Sequence, residues 1–284
     1  MQHRNPAVVL KRVLLPVTLG LVFTVTSALA QTTLPPVPQA IKARGKLMVG
    51  VRCDQPPYGF KDASGHFAGV EVEMARQIAE WVFGTKDKAA LTCVTAENRI
   101  PLLMGKKVDL LIATLGVTPQ RARVIDFSKP YRWGNSDVLV RAGSPIKTLD
   151  DLKGKKLIVL KGSTQEKWFA THMPELQPLK LNTASDALQS LLSDRADAYS
   201  TDAATLVVVA SKNKAVHRLG LVFGVSEAAV GLRKNEPQWK DYINDSLERM
   251  KTDGKFIPWV KQWVDPAIQP YYIKVFTEPV PKAE

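Results

Sequence analysis

The 284-residue chain has only two cysteines, Cys53 and Cys93, and only four histidines, at positions 3, 66, 172 and 217. Two cysteines are too few for a disulfide-framed small domain or for a cysteine-rich zinc site. The histidines are scattered without ligand-type spacing, so no metal site is expected. The sequence also lacks a Gly-x-Ser-x-Gly elbow, a P-loop and an activated Cys–His pattern, which removes common signatures of hydrolases and nucleotide enzymes. It has no internal repeat and no low-complexity stretch. After residue 30 no segment is long and apolar enough to cross a membrane.

The one long apolar run, Val13 to Ala30, carries no charge and follows His3, Arg4, Lys11 and Arg12. It ends Ala28-Leu29-Ala30 before Gln31, the pattern of a secretory signal peptide over residues 1–30. The alternative is a membrane anchor, for which Pro16, Gly20 and several Ser/Thr make a weak span. No cysteine follows the cleavage point, so a lipoprotein route is not indicated. A soluble periplasmic protein is expected.

Hydrophobic residues make up 45% and charged residues 23%, the composition of a packed globular chain. Net charge is +12, and loss of Arg4, Lys11 and Arg12 lowers it to +9. The basic residues are spread along the chain with no dense run or aromatic-interleaved pattern, so nucleic acid is not the expected partner. Export places Cys53 and Cys93 where a disulfide can persist. A bridge and two buried thiols both remain open, because bridging needs a geometry that sequence does not give.

Residues 31–40 are proline-rich and read as an extended leader. Short β-type runs, Lys46 to Val51, Ala90 to Val94, Asp109 to Thr114, Lys156 to Leu160, Ala196 to Ser200 and Ala229 to Arg233, alternate with helical patterns. The clearest helix is Val70 to Phe83, with Val72, Ala75, Ile78, Ala79 and Val82 at helical spacing. Others are Arg99 to Met104, one opening at Thr118-Pro119, Thr164 to His172, Ala184 to Ser193, Asp202 to Ser211, Pro237 to Thr252 and Gly254 to Val264. The alternation predicts α/β layers on a largely parallel sheet. The tail, 265–284, holds prolines and aromatics (Tyr271, Tyr272, Phe276) and carries no functional reading.

An ordered set of segments then becomes recognisable: Gly50-Val-Arg-Cys-Asp-Gln-Pro-Pro-Tyr-Gly-Phe60, Gly69 to Met74, Asn98-Arg-Ile-Pro-Leu-Leu103, Ala113-Thr-Leu-Gly-Val-Thr-Pro-Gln-Arg121, Asp126-Phe-Ser-Lys-Pro-Tyr131, Gly162-Ser-Thr164 and Thr201-Asp202. From about Gly45 to Val264 the chain resembles the periplasmic solute-binding proteins for polar amino acids that serve ABC importers. The resemblance implies a two-lobed α/β periplasmic binding protein fold of type II, hinged on two crossover strands. Lobe I is expected at 41–133 plus 228–264 and lobe II at 137–223, with crossovers near 131–136 and 223–227. Such a hinge closes when a ligand stabilises the shut state. The implied partners are a free amino acid and an inner-membrane permease, with a monomeric protein and no cofactor.

The resemblance also implies roles in the cleft. Arg121 is the arginine that pairs with the ligand α-carboxylate, its planar fork suiting a bidentate contact. Ser163 and Thr164 begin a helix whose backbone N–H groups can meet the same carboxylate. Asp202 matches the acid for the α-ammonium, and could equally cap the helix after it. Thr114, Leu115 and Gly116 form the segment that offers backbone groups; Gly116 stands where relatives have Ser or Thr. Arg52 and Arg99 match arginines of glutamate- and aspartate-binding relatives, where two cations repel basic ligands and pair a distal carboxylate. Ala96 replaces a serine of that subgroup. Glutamate or aspartate is therefore the first expected ligand, with glutamine or another neutral polar amino acid next. Cyclohexadienyl dehydratases share the fold, but their catalytic Glu finds no counterpart in Ala203-Ala-Thr-Leu206, so an enzyme is not expected.

Overall fold

The computed structural model describes residues 1–3 and 34–280. The signal-peptide reading of residues 1–30 falls almost wholly outside the described residues. The unit from Leu34 onward carries the fold. Its strands are β1 (Leu47–Val51), β2 (Asp54–Gln55), β3 (Gly59–Lys61), β4 (Phe67–Ala68), β5 (Ala89–Cys93), β6 (Leu110–Ile112), β7 (Asp126–Arg141), β8 (Leu157–Leu160), β9 (Leu179–Leu181), β10 (Ala198–Asp202), β11 (Val216–Arg218) and β12 (Phe223–Leu232). Its helices are α1 (Gln39–Arg44), α2 (Val70–Phe83), α3 (Arg99–Met104), α4 (Pro119–Ala122), α5 (Thr164–His172), α6 (Ala184–Leu192), α7 (Ala203–Lys212), α8 (Pro237–Thr252), α9 (Phe256–Trp263) and α10 (Gln269–Thr277).

The strands follow the order β5-β1-β6-β12-β7-β10-β8-β9, with β11 also on β7, while β2, β3 and β4 form a small antiparallel sheet. On one side β5, β1 and β6 are parallel; on the other β10, β8 and β9 are parallel. The expectation of a largely parallel sheet fails at the centre, where β7 and β12 pair antiparallel. The reason is connectivity: one strand carries the chain out to the second lobe and the other brings it back. β7 runs 16 residues and pairs with both β12 and β10, so one continuous strand spans the join. The result is the two-lobed α/β fold with two crossover strands.

Each lobe has its own core. In the first, the α2 residues Val72, Met74, Ala75, Ile78 and Ala79 pack with Val49, Leu110, Trp239 and Leu247, all at most 1% exposed. The α2 helix matches its expected bounds, and Gly84 ends it in the left-handed region at φ 78°. In the second lobe, Val138, Val159 and Phe169 pack under α5, and Leu139, Ala187, Tyr199 and Leu206 form the core on the other face under α6 and α7. Strand alternation accounts for the split, since Val138 and Leu139 are neighbours on β7 that face opposite ways.

Two terminal stretches differ from their sequence reading. The extended leader gives way to α1 at Gln39, anchored where Arg44 pairs with Asp109. The tail holds α10, whose Tyr272, Val275 and Phe276 recur on one face and are buried. Both segments are too short and too rich in proline to show a helical period.

Cys53 and Cys93 are bridged, with Cα atoms 5.5 Å apart. The bridge follows the pairing of β1 with β5, which brings Val51 level with Cys93. It closes a separation of 40 residues, for which the chain-entropy argument gives about 3–4 kcal/mol. Urea unfolding with and without reductant should show a loss of that size on reduction, with the folded baseline unchanged.

Candidate ligand-binding site

The cleft between the lobes holds a cavity. Of the residues expected from the sequence, Arg52, Arg99, Thr114, Gly116, Ser163, Thr164 and Asp202 line it. Leu115 does not: its side chain is fully buried beside Leu103, Val108, Leu111 and Ile125, and its carbonyl accepts from Ala229. Arg121 stands beside the cavity rather than in its wall. Its Nη1 donates to the Gly116 carbonyl at 2.6 Å and its Nη2 to the Gly162 carbonyl at 2.9 Å, one in each lobe. Burial draws Arg121 down to about 10, which leaves it a cation at neutral pH.

The lobes are shut on each other at several points. Asp54 accepts from the Ala184 N–H at 2.7 Å, Thr205 donates to Gln55 at 2.9 Å, and Lys161 pairs with Glu97 at 2.6 Å. Gly162, at φ 75°, brings the second lobe so close that a Cβ there would lie 2.9 Å from the Ala96 carbonyl. Only glycine tolerates both that backbone angle and that approach.

The arginine pair expected to meet a distal carboxylate is not equivalent in its surroundings. Arg52 is 2% exposed and already paired: its Nε and Nη2 both donate to Asp54 Oδ1, at 3.0 and 2.7 Å. Arg99, also 2% exposed, meets no acid among the described residues; its Nη1 donates to the Ala113 and Thr114 carbonyls at 2.6 and 3.2 Å, and its Nε finds no partner among them. Burial first, then the charges of Arg121 and Arg52, pull the Arg99 guanidinium well below its ordinary value. An anion beside it would relieve that cost.

Asp202 serves two purposes at once. It caps α7, its Oδ1 accepting from Ala204 N–H at 3.1 Å, and it faces the cavity. Its Oδ2 lies 3.3 Å from Arg132 Nη1, a cation that sequence reasoning passed over. Arg132 sits on β7, 3.8 Å over the Tyr58 ring, with its Nε 3.7 Å from Glu71. Burial works against that cation, but Tyr58, Asp202, Tyr131 and Glu71 around it hold Arg132 well above its ordinary value. Glu71 is fully buried and accepts from Tyr131 at 2.6 Å and from the Thr114 N–H at 2.9 and 3.0 Å. Its carboxyl is pushed up by burial, against the pull of Arg132 and these donors. Gly134 makes room for the group: a Cβ there would be 2.9 Å from Arg132 Nη1 and 3.3 Å from Asp202 Oδ2.

The other walls missed in the sequence are mostly amides and hydroxyls, Gln55, Asn135, Ser136, Gln165, Thr201 and Ser226. A signal for some of them was present. Arg132, Asn135 and Ser136 fall in the stretch expected to cross between lobes, where side chains must face the cleft, and Gln165 follows Ser163-Thr164 directly. Removing Glu71 should expose how much the ion network supports the site. Glu71→Ala leaves Arg132 short of a buried partner and should cost about 3–5 kcal/mol in urea unfolding; Glu71→Gln, which keeps acceptors for Tyr131 and Thr114, should cost less.

This geometry has close relatives. The profile of the bacterial extracellular solute-binding proteins, family 3, matches residues 47–266. The chain is 34% identical to an ABC transporter glutamine-binding protein of Bacillus subtilis (strain 168), over 80% of this chain and 85% of the relative. It is 31% identical to an L-cystine-binding protein of Escherichia coli (strain K12), over 78% of this chain and 84% of that one. Among solved structures it is similar to a solute receptor for L-cysteine of Neisseria gonorrhoeae, with TM-score 0.79, 29% identity, and coverage of 82% of this chain and 95% of that one. The two-lobed fold, the shared sequence and the cleft between the lobes agree: this chain belongs to the bacterial extracellular solute-binding proteins, family 3.

Proposed function

We propose that this protein captures a neutral polar amino acid, glutamine first, in the cleft and delivers it to an ABC importer. The observation that carries this reading is the pairing of Arg52 with Asp54. A cation satisfied twice by an adjacent carboxylate has little left to offer a second ligand carboxylate, so half of the acidic-ligand argument is lost. What remains around the cavity is suited to amide and hydroxyl recognition, with Gln55, Asn135, Gln165 and Ser226 in its walls. The glutamine-, cystine- and cysteine-binding relatives support the same choice.

In this reading Arg99 faces the α-carboxylate together with the N–H groups at the start of α5. Arg121 adds its charge from beside the cavity, behind the Gly116 and Gly162 carbonyls. Asp202 takes the α-ammonium, sharing its charge with Arg132. The expected lobe limits, 41–133 with 228–264 against 137–223, are supported by the cores on the two sides of β7 and β12, with Ala204 and Val208 of α7 joining the first-lobe core. Among the described residues Asp202 is the one carboxylate lining the cleft, and Arg132 and the α7 N-terminus occupy it. Acidic amino acids remain the second reading, favoured by Arg99, which has no carboxylate partner among the described residues.

Calorimetric titration of protein stripped of ligand by unfolding and refolding separates the two. Glutamine or cysteine should bind at micromolar or better, with glutamate and aspartate weaker and arginine silent. Tighter binding of glutamate than of glutamine would overturn the neutral reading. Asp54→Asn should then shift the preference: with Arg52 released, glutamate affinity should rise about tenfold relative to glutamine, the effect of one charge-assisted hydrogen bond.

A further inference from the structure

Helix α10 begins three residues beyond the segment shared with the family, which ends at 266. It nevertheless reaches both lobes. On the first-lobe side Phe276 stacks on Phe256 at 5.1 Å and on Tyr131 at 6.4 Å, and meets Tyr58 edge-on at 6.1 Å. On the other side the Tyr272 hydroxyl donates to the Ala204 carbonyl, in the first turn of α7. Beside it Tyr271 donates to Asn135 Oδ1 at 3.3 Å and packs edge-on against Trp133 at 6.4 Å, both on the crossover strand β7.

The two faces of α7 show what this contact does. Leu206 belongs to the second-lobe core, whereas Ala204 and Val208 pack into the core that holds Tyr272 and Phe276. Ala204 is therefore held twice, its N–H by Asp202 and its carbonyl by Tyr272. If the second lobe swings away with α7, Tyr272 must lose its acceptor and the Ala204–Val208 face must leave the aromatic cluster. Opening thus exposes apolar surface and unpairs a buried hydroxyl, both costly.

We propose that α10 is a clasp: a C-terminal helix beyond the profile-matched segment that grips α7 and the crossover strand and biases the lobes toward closure before any ligand arrives. The inference rests on the two-lobed fold and not on the identity of the ligand. Its consequence is general. A chain whose closed state is already populated loses less of its intrinsic affinity to the cost of closing, whatever it binds.

The test is small-angle X-ray scattering of the ligand-free full-length exported protein against Tyr271→Phe/Tyr272→Phe. The double variant keeps both rings and removes only the two hydroxyls. The wild type should scatter as the closed structure, and the variant should show a larger radius of gyration with unchanged far-ultraviolet circular dichroism. Hydrogen exchange should rise at 203–208 and 131–136 by about tenfold, the loss expected for two modest hydrogen bonds, while the α2 amides stay protected. Identical scattering and exchange in the two proteins would overturn the clasp, as would a wild type that is open without ligand. No ligand enters the measurement, so its failure is separate from failure of the glutamine reading.

Discussion

Arg132 is the residue on which the cleft depends. A fully enclosed guanidinium is tolerable only because Glu71, Asp202 and the Tyr58 ring surround it. Those three partners come from α2, from the end of β10 and from the loop after β2, and Arg132 itself lies on the strand that joins the lobes. One buried charge therefore ties both lobes and the hinge to a single arrangement. The same demand places Glu71 where it can receive the Thr114 N–H, which holds the backbone at the floor of the site. Satisfying a buried cation and shaping the binding cleft are one requirement here.

Charge balance in the cleft is unevenly distributed, and that unevenness carries the functional argument. Among the described residues Arg52 and Arg132 have carboxylate partners, whereas Arg99 and Arg121 are held by backbone carbonyls. Carbonyl dipoles orient a guanidinium without neutralising it. The two cations without carboxylates are thus the ones poised to attract an anionic group, and the paired ones serve as fixed walls. Residue type alone makes all four equal; their neighbours make them different.

The parts of the fold legible in the sequence share a physical cause. Helix α2 shows itself because one buried face repeats every three to four residues, and α8 because its amphipathic pattern is bounded by Pro237 and Asp253. Asp202 was readable as a cap, and it caps α7 while facing the cavity. The missed elements lack such patterns. Strands β9 and β11 have three residues each, too few for alternation to register. The 16-residue β7 changes environment along its length, its ends in different lobes and its middle in the cleft, so no single period describes it.

The family fold was legible in one dimension, because ordered motifs and helical periods are local. The sequence also marked seven of the seventeen residues that line the cavity, those on short motifs at strand ends. Which arginines are spoken for emerges only once the chain is folded. Asp54 lies two residues from Arg52, and nothing local says whether that carboxylate turns toward its neighbour or away. Nor could the sequence say that Arg132 faces Asp202 across 70 positions, or that Tyr272 reaches Ala204 across 68. Those contacts arise when the crossover strands fold the chain back on itself, and electrostatic partnership is decided by distance in space.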